Sequence, residues 1–434
     1  MNYVESLAYL DNHINLEATA GLIHGLSLDH MERLVRVLGD PQDSFKVVHV
    51  TGTNGKGSTS RMITALLMEH GLSVGTYSSP HLQRINERIC WNGEPISDEQ
   101  FASVMTEIAR VAPLSGVTPS FFELLTAAAF TWFAESAVDV AVIEVGLLGR
   151  YDATNVCSAD VAVITNIGRD HTDGEGDWKE AIATEKAGII TEHCTLVTGV
   201  TEPELLPILK AEGPARIVAR GVDYDVVNDI FAVGGHLVDL RTPLATYDDV
   251  LIPLHGSHQS INAACAVATV ESFFERPLDE TVVANAFASV TMPGRFEVLA
   301  HAPLLIIDGA HNPEGARAAA QTIREEFDIS GRRVLVIGML GGRDVVDMLD
   351  SLDVRQADLV LACTPNSPRA VAASEVAAVV RAMGVLVEQI DDVATAVQRA
   401  IDLSTEEDLI LITGSLYVAG AARTAVEEFF HRSS

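Results

Sequence analysis

Residues 45–60 read FKVVHVTGTNGKGSTS, and the order of residue types in this stretch decides the fold. The apolar run from Val47 to Val50 reads as a buried strand, Gly52, Gly55 and Gly57 follow in a loop, and a helical pattern begins behind them. Glycine lets the backbone approach an anion with no Cβ in the way, and the first free N–H groups of the helix point at that anion with the positive end of the dipole. Lys56 adds a mobile positive charge, and Ser58 or Thr59 offers a hydroxyl to a magnesium ion. The stretch departs from the pattern GxxxxGK[ST], because Gly57 stands between Lys56 and Ser58 and Val occupies position 50. A glycine-rich loop by itself is equally a tight turn; its place between strand and helix favours a phosphate cradle.

The chain of 434 residues is long enough for two or three domains, each with its own core. The N-terminal MNYVESLAYLDNH has neither a basic start nor an apolar core of signal-peptide length, and no later apolar run approaches a membrane span. A soluble cytoplasmic protein without a membrane partner is expected. Cys90, Cys157, Cys194, Cys265 and Cys363 lie far apart with no CxxC, which argues against a zinc knuckle or a disulfide framework. They read as small buried hydrophobes. A formal charge of −31 repels nucleic acid and anionic surfaces, so no nucleic acid partner is expected. Only Lys46, Lys56, Lys179, Lys186 and Lys210 are lysines; Arg supplies positive charge elsewhere. A retained Lys is therefore a candidate for a role that needs its amine.

Residues 3–39 read as mostly helical and end at Gly39-Asp40-Pro41, a breaker before the first strand. Behind the glycine loop, STSRMITALLMEHG has helical spacing and stops at Gly71. A strand at LSVGTY leads into a polar segment, and 80–93, without regular periodicity, reads as a functional loop rather than a core element. Helices at 98–111 and 120–136 precede the strand DVAVIEVG (139–146). VAVITNIG, the polar loop RDHTDGEGD, a helix through Lys186 and the strand CTLVTGV follow. Alternating β and α with apolar strands means a parallel sheet covered on both faces. Residues 213–256 change to short apolar alternations, as in a small antiparallel patch. After helices at 260–276 and 279–290, the turn Met292-Pro293-Gly294-Arg295 opens a second β/α series: LLIIDGAHNP, VLVIGML (334–340), DLVLACTP (358–365) and LILITGS (409–415). The expected class is α/β with two doubly wound domains. Residues 1–295 form a P-loop ATPase-like domain carrying the antiparallel patch, and 296–434 a smaller, Rossmann-like one.

In open α/β sheets ligands bind beyond the carboxyl ends of the strands. Glu144 interrupts AVIEVG near the end of its strand, where an unpaired carboxylate is costly to bury and a neighbouring cation removes the cost. His171 follows VAVITNI in an acidic loop; its imidazole is a second candidate ligand, or simply a hydrogen-bonded or exposed side chain. Asp308 ends a strand, which suits a ribose hydroxyl or the orientation of Arg295, whose guanidinium can fork onto phosphate oxygens.

TGTNGKGS resembles the nucleotide loop of the Mur ligase superfamily and, within it, of the folylpolyglutamate synthase and dihydrofolate synthase family. EVGLLGRYDATN (144–155), TNIGRDHTD (165–173), ATEKAGI (183–189) and DGAHNP (308–313) resemble further motifs of that family, and the likeness runs in order from about residue 45 to 420. It implies ATP bound by Thr53, Asn54, Gly55, Lys56, Gly57 and Ser58, with Asn262 on the adenine side and Arg295 and Asp308 from the second domain. It implies Mg2+, one or two ions, held by Ser58, Ser79 of the Ser78-Ser79 pair, Glu144 and His171, and a Lys186 carbamylated by CO2 into a carboxylate-like ligand, which Arg cannot become. The alternative for Lys186 is an exposed helix lysine. Ser120, Phe121, Phe122 and Glu123, with Tyr151, Asp152 and Ala153, match the segment for the pterin-bearing substrate: rings stack on the pterin and carboxylates accept from its N–H groups. A helix core face is the other reading of the two phenylalanines. His311 and Ser415, the latter in Thr413-Gly414-Ser415-Leu416-Tyr417, match motifs linked to the incoming glutamate. Where the family usually has Gly and Leu, this chain has Leu148 and Tyr151, and its loop TDGEGDW also differs.

The activity this implies is an ATP-dependent carbon–nitrogen ligase that joins L-glutamate to dihydropteroate, a reduced folate or both, with Lys56, Lys186 and His311 as catalytic candidates. Cations shield the negative charges that meet at one point, and excluding water protects the acyl phosphate. A monomer acting on small molecules is expected, and a nucleotide completed from a second domain implies closure. One rival is a UDP-N-acetylmuramoyl-peptide-type amino acid ligase, which normally carries a further N-terminal domain, while about 45 residues precede the loop here. The other is a P-loop ATPase regulator, which leaves Lys186 and the pterin-like segment without a purpose.

Overall fold

The computed structural model describes residues 1–15, 27–169, 176–342 and 344–433. Its contacts divide into two units, the first holding most of the chain up to Val290 and the second holding Thr291–Ser434 together with Leu254–Ser257.

The first unit is built on eight strands: β1 (Lys46–Thr51), β2 (Val74–Tyr77), β3 (Ile89–Trp91), β4 (Glu94–Pro95), β5 (Val140–Glu144), β6 (Val161–Ile164), β7 (Thr195–Thr198) and β8 (Arg216–Ala219). Their order is β4-β3-β2-β5-β1-β6-β7-β8. The six strands from β2 to β8 in that order run parallel, and β3 and β4 turn back antiparallel at one edge. β5 and β6 are buried along their whole length and β1 at every residue but Lys46, as a sheet covered on both faces requires. Phe101, Phe130 and Phe133 pack with Val47, Tyr77, Ala141 and Ile143 in the core on one side.

The chain leaves β1 toward β2 on one side, yet leaves β5 toward β6 on the other side of β1, so the topological switch falls at the carboxyl end of β1. Register places Val50 opposite Glu144 and Thr51 opposite Ile164. The glycine loop therefore leaves the sheet between the ends of β5 and β6.

Of residues 3–39, the described helices are Tyr3–Asp11 and Asp29–Val37. Two differences from the sequence reading have simple causes. Part of 80–93 is core, because Ile89–Trp91 pairs with β2 and Arg88 and Ile89 are buried; three residues are too few to display a period. The expected antiparallel patch is present as β9 (Asp225–Ala232), β10 (Gly235–Arg241) and β11 (Thr246–Ile252), whereas β8 just before it extends the large sheet in parallel.

The second unit carries β12 (Glu297–His301), β13 (Leu304–Ile307), β14 (Arg333–Ile337), β15 (Leu359–Ala362), β16 (Val387–Gln389) and β17 (Leu409–Thr413), ordered β12-β13-β17-β14-β15-β16. All but β12 are parallel, and helices such as Pro313–Glu326 connect them. Asp308 and Gly414-Ser415 follow directly on the carboxyl ends of β13 and β17.

Candidate active site

The loop after β1 is shaped by its glycines. Gly52 has φ +151°, and a Cβ built there would lie 1.8 Å from Thr165 Oγ1; Gly55 has φ +80° and opens the helix Lys56–Glu69. The segment after β6 holds the loop in place. Thr165 Oγ1 donates to Asn54 O at 2.7 Å, the N–H groups of Thr53 and Asn54 both donate to Asn166 Oδ1, and Gly168 N donates to Thr53 Oγ1 at 2.9 Å. No side chain caps the helix Lys56–Glu69, so its first N–H groups are left for an anion, which is what a phosphate cradle needs. Asn262 Oδ1 packs directly on this turn, 2.6 Å from where a Gly55 Cβ would stand.

Two lysines converge on one carbonyl. Lys56 Nζ and Lys186 Nζ each donate to Gly52 O at 2.9 Å. The two nitrogens are thus no more than about 6 Å apart, where like charges repel. Lys186 is only 2% exposed, so it is not an exposed helix lysine. It sits in the last turn of the helix Trp178–Ala187, which is fixed by Arg150 N donating to Glu185 O at 2.8 Å and Asn155 Nδ2 donating to Gly188 O at 3.0 Å.

Glu144 ends β5 and is buried; its Oε2 accepts from Ser79 N at 3.4 Å. A Cβ on Gly57 would stand 3.6 Å from the same oxygen, so the carboxylate lies beside the start of the helix that carries Lys56 and Ser58. A carboxylate and hydroxyl oxygens are the hard donors that magnesium takes, and the residues present fit it. Among the described residues no three His, Cys, Asp or Glu side chains gather as a metal cluster. His171 lies outside the described residues.

The residues expected to meet the acceptor substrate divide into two groups. Ser120 and Glu123 bond each other's backbone N–H groups in a capping box at the start of the helix Phe121–Glu135. Phe121 belongs to the core, under the buried Arg88 guanidinium at 5.8 Å, while Phe122 is half-buried and its ring covers Gly146, where a Cβ would be 2.4 Å away. Tyr151 is exposed, Ala153 buried, and Asp152 5% exposed, with Leu147 N and Thr154 N donating to its two oxygens. Leu148, where the sequence comparison expects Gly, adopts φ +59°; Thr51 Oγ1 donates to its carbonyl at 2.6 Å and holds this left-handed turn.

In the second unit, Asp308 accepts from Phe296 N and Ala310 N, both at 2.9 Å, and Gly309 O accepts from Arg295 Nη1 at 3.2 Å. The carboxylate thus orders the turn that presents Arg295. His311 Nδ1 bonds Gly309 O at 2.9 Å and carries the proton, since a carbonyl only accepts. Ser415 is fully buried and its Oγ accepts from Val418 N, capping the helix that follows β17.

Sequence reasoning did not single out Thr165, Asn166, Arg88 or His49. The first two had a legible signal, polar residues following an apolar strand.

A family model described as the Mur ligase middle domain matches residues 50–270, and one described as the glutamate ligase domain of Mur ligases matches 294–416. Fold and site thus define an ATP-dependent ligase of the Mur class. The chain is 40% identical to the dihydrofolate synthase/folylpolyglutamate synthase of Mycobacterium tuberculosis, over 92% of this chain and 89% of that one. It is 33% identical to the protein of the same description from Bacillus subtilis, over 90% and 92%. Solved structures agree: M. tuberculosis folylpolyglutamate synthase complexed with ADP matches with TM-score 0.92 and 38% identity over 98% of both chains. E. coli FolC in complex with DHPP and ADP matches with TM-score 0.87 and 30% identity over 100% of this chain and 99% of that one. The chain belongs to the dihydrofolate synthase/folylpolyglutamate synthase family.

Proposed function

We propose that the chain joins L-glutamate to dihydropteroate, to a reduced folate or to both, with ATP as the activating co-substrate. The observation that carries this reading is the meeting of Lys56 and Lys186 on Gly52 O, beside an uncapped helix N-terminus whose Gly57 faces Glu144. Two ammonium groups so close repel, and negative charge brought to the site relieves that repulsion. A triphosphate supplies such charge. Addition of CO2 to Lys186, with loss of two protons from its ammonium form, would supply it too, and would turn repulsion into attraction. The relatives described with ADP, and with Mn, AMPPNP and L-glutamate, bind ligands of the kind this site would take.

A free carboxylate is a poor acyl donor because oxide would have to leave. In the reaction proposed, an acceptor carboxylate oxygen attacks the γ-phosphorus and ADP departs; the glutamate amine then attacks the acyl carbon and phosphate leaves with that oxygen. Lys56 and the helix N–H groups hold the phosphates and stabilise the charge that develops on them. Magnesium, held by Glu144, Ser58, Ser79 and the carbamylated Lys186, with His171 as a further ligand, would neutralise the phosphate oxygens. Phe122 and Asp152 serve the pterin ring; in the second unit Arg295 offers a guanidinium for phosphate oxygens, Asp308 orders its turn, and His311 is the candidate for the incoming glutamate. The wild-type chain, given ATP, magnesium, glutamate and either acceptor, yields the acceptor plus one glutamyl unit by mass spectrometry. Absence of a glutamylated product with every acceptor contradicts the reading.

A further inference from the structure

The helix Trp178–Ala187, which carries Lys186, is closed from outside. The last carbonyls of a helix lack their usual partners within it. Here one short segment after β5 meets them: Arg150 Nη2 donates to Thr184 O at 3.0 Å, Arg150 N to Glu185 O at 2.8 Å and Asn155 Nδ2 to Gly188 O at 3.0 Å. Asn155 Nδ2 also donates to Arg150 O at 2.9 Å, so one amide ties the segment to itself and to the helix end. Two glycines show how close the approach is. Gly188 has φ −60°, a right-handed conformation open to any residue, so it is not the left-handed glycine that ends many helices. Its missing side chain makes room instead, because a Cβ there would lie 2.4 Å from Arg150 Cβ. A Cβ on Gly149 would lie 2.8 Å from Glu185 O and 3.1 Å from Lys186 Cα. Each segment therefore lacks a side chain where the other passes, and the two interlock at the backbone of Lys186.

We propose that Asn155 is a positioning residue for Lys186: with Gly149 and Gly188 leaving room for the contact, it fixes the end of the helix so that the buried amine stands at Gly52 O, 2.9 Å away, when CO2 arrives. A lysine stem is long and flexible, so a fixed amine needs a fixed backbone at its root as well as a packed stem. The chemistry balances as follows. The ammonium loses one proton, the freed nitrogen pair bonds to the carbon of CO2, one C–O π pair moves onto oxygen, and a second proton leaves to water. The carbamate nitrogen keeps one hydrogen and with it a donor for Gly52 O. The inference rests on the carbamate reading of Lys186 given above.

The test uses two perturbations of opposite kind. Asn155→Ala removes both bonds of the amide, and Gly149→Ala adds a methyl against Glu185 O. With carbon-13-labelled bicarbonate, the wild type shows a carbamate resonance that Lys186→Ala lacks. In both variants the bicarbonate concentration at half signal rises about 10-fold or more, the factor that one or two lost hydrogen bonds of ordinary strength produce. Turnover at low bicarbonate falls with it and recovers as bicarbonate is raised, while the Kd of AMPPNP without magnesium stays within about two-fold. A purely structural role lowers the melting temperature and weakens AMPPNP binding, with no response to bicarbonate. That result, or half-saturation equal to the wild type, overturns the inference. Should one variant fail to fold, the other decides; failure of both makes the contact structural and overturns it too. A wild type without a Lys186-dependent resonance sinks the carbamate reading; one that has it, with both variants unchanged, sinks only this inference.

Discussion

Gly52→Ala probes the cradle at the point where the least room exists. The new methyl would stand 1.8 Å from Thr165 Oγ1, 3.1 Å from Thr165 Cβ and 3.2 Å from Thr165 N, on a backbone with φ +151°. A non-glycine residue in such a region costs about 1–3 kcal/mol. Moving Thr165 breaks its bond to Asn54 O, about 1 kcal/mol, and overpacking adds about 1–3 kcal/mol. The sum, about 3–7 kcal/mol, is a large share of the stability of an ordinary domain and corresponds to a loss on the order of 10–20 °C in Tm. Thermal melts and the Kd of AMPPNP read the two consequences, and nucleotide affinity is expected to fall at least about 10-fold because the staple to Asn54 is lost. Adding Thr165→Ala removes the atom in the way but leaves the backbone strain, so the double variant should recover about 1–3 kcal/mol of the loss and no more. If Gly52→Ala melts with the wild type and binds AMPPNP equally well, the geometry argued for this loop is wrong.

Lys56→Ala is expected to fold normally, because its amine bonds only the carbonyls of Gly52 and Thr53, and to lose about 100-fold or more in kcat/KM; a stable variant with wild-type turnover refutes its role. Lys186→Ala is expected to be inactive in the same assay yet partly restored by short carboxylic acids that occupy the missing ligand position; full activity without them removes the carbamate. His49 predicts a pH effect on stability. Its pKa falls from 6.5 unfolded to about 3 folded, so the unfolded chain holds more protons between those values and stability is lost as the pH falls below about 6.5. At pH 5 this amounts to about 2 kcal/mol. His49→Gln should lose correspondingly less stability between pH 7 and pH 5 in urea melts, and an equal loss in both proteins contradicts the burial argument.

The parts of the site that could be read from the sequence are those where chemistry and local pattern coincide. A glycine loop between strand and helix, a glutamate at the end of an apolar strand and one of five lysines stood out before any coordinates. The structure brings Lys56 and Lys186 to Gly52, and Glu144 to Gly57. Ser120 and Glu123 carry a second legible signal: S-x-x-E ahead of an apolar run is the signature of a helix start, and both side chains form that capping box. His49 was hidden because its partners lie 105 and 108 residues away, and a histidine inside an apolar run carries no local sign of what it will bond. The strands β3 and β16, three residues each, are too short for a period of two to show. Ser415 follows a strand, and that its oxygen also caps the next helix is visible only in the fold.

The account depends above all on the acceptor carboxylate being phosphorylated before the amine attacks, and oxygen labelling tests that directly. With both carboxylate oxygens of the acceptor carrying oxygen-18, one labelled atom must appear in the inorganic phosphate for each amide formed while the other stays in the product. Phosphate free of label, alongside a normal yield of glutamylated product, would contradict the mechanism.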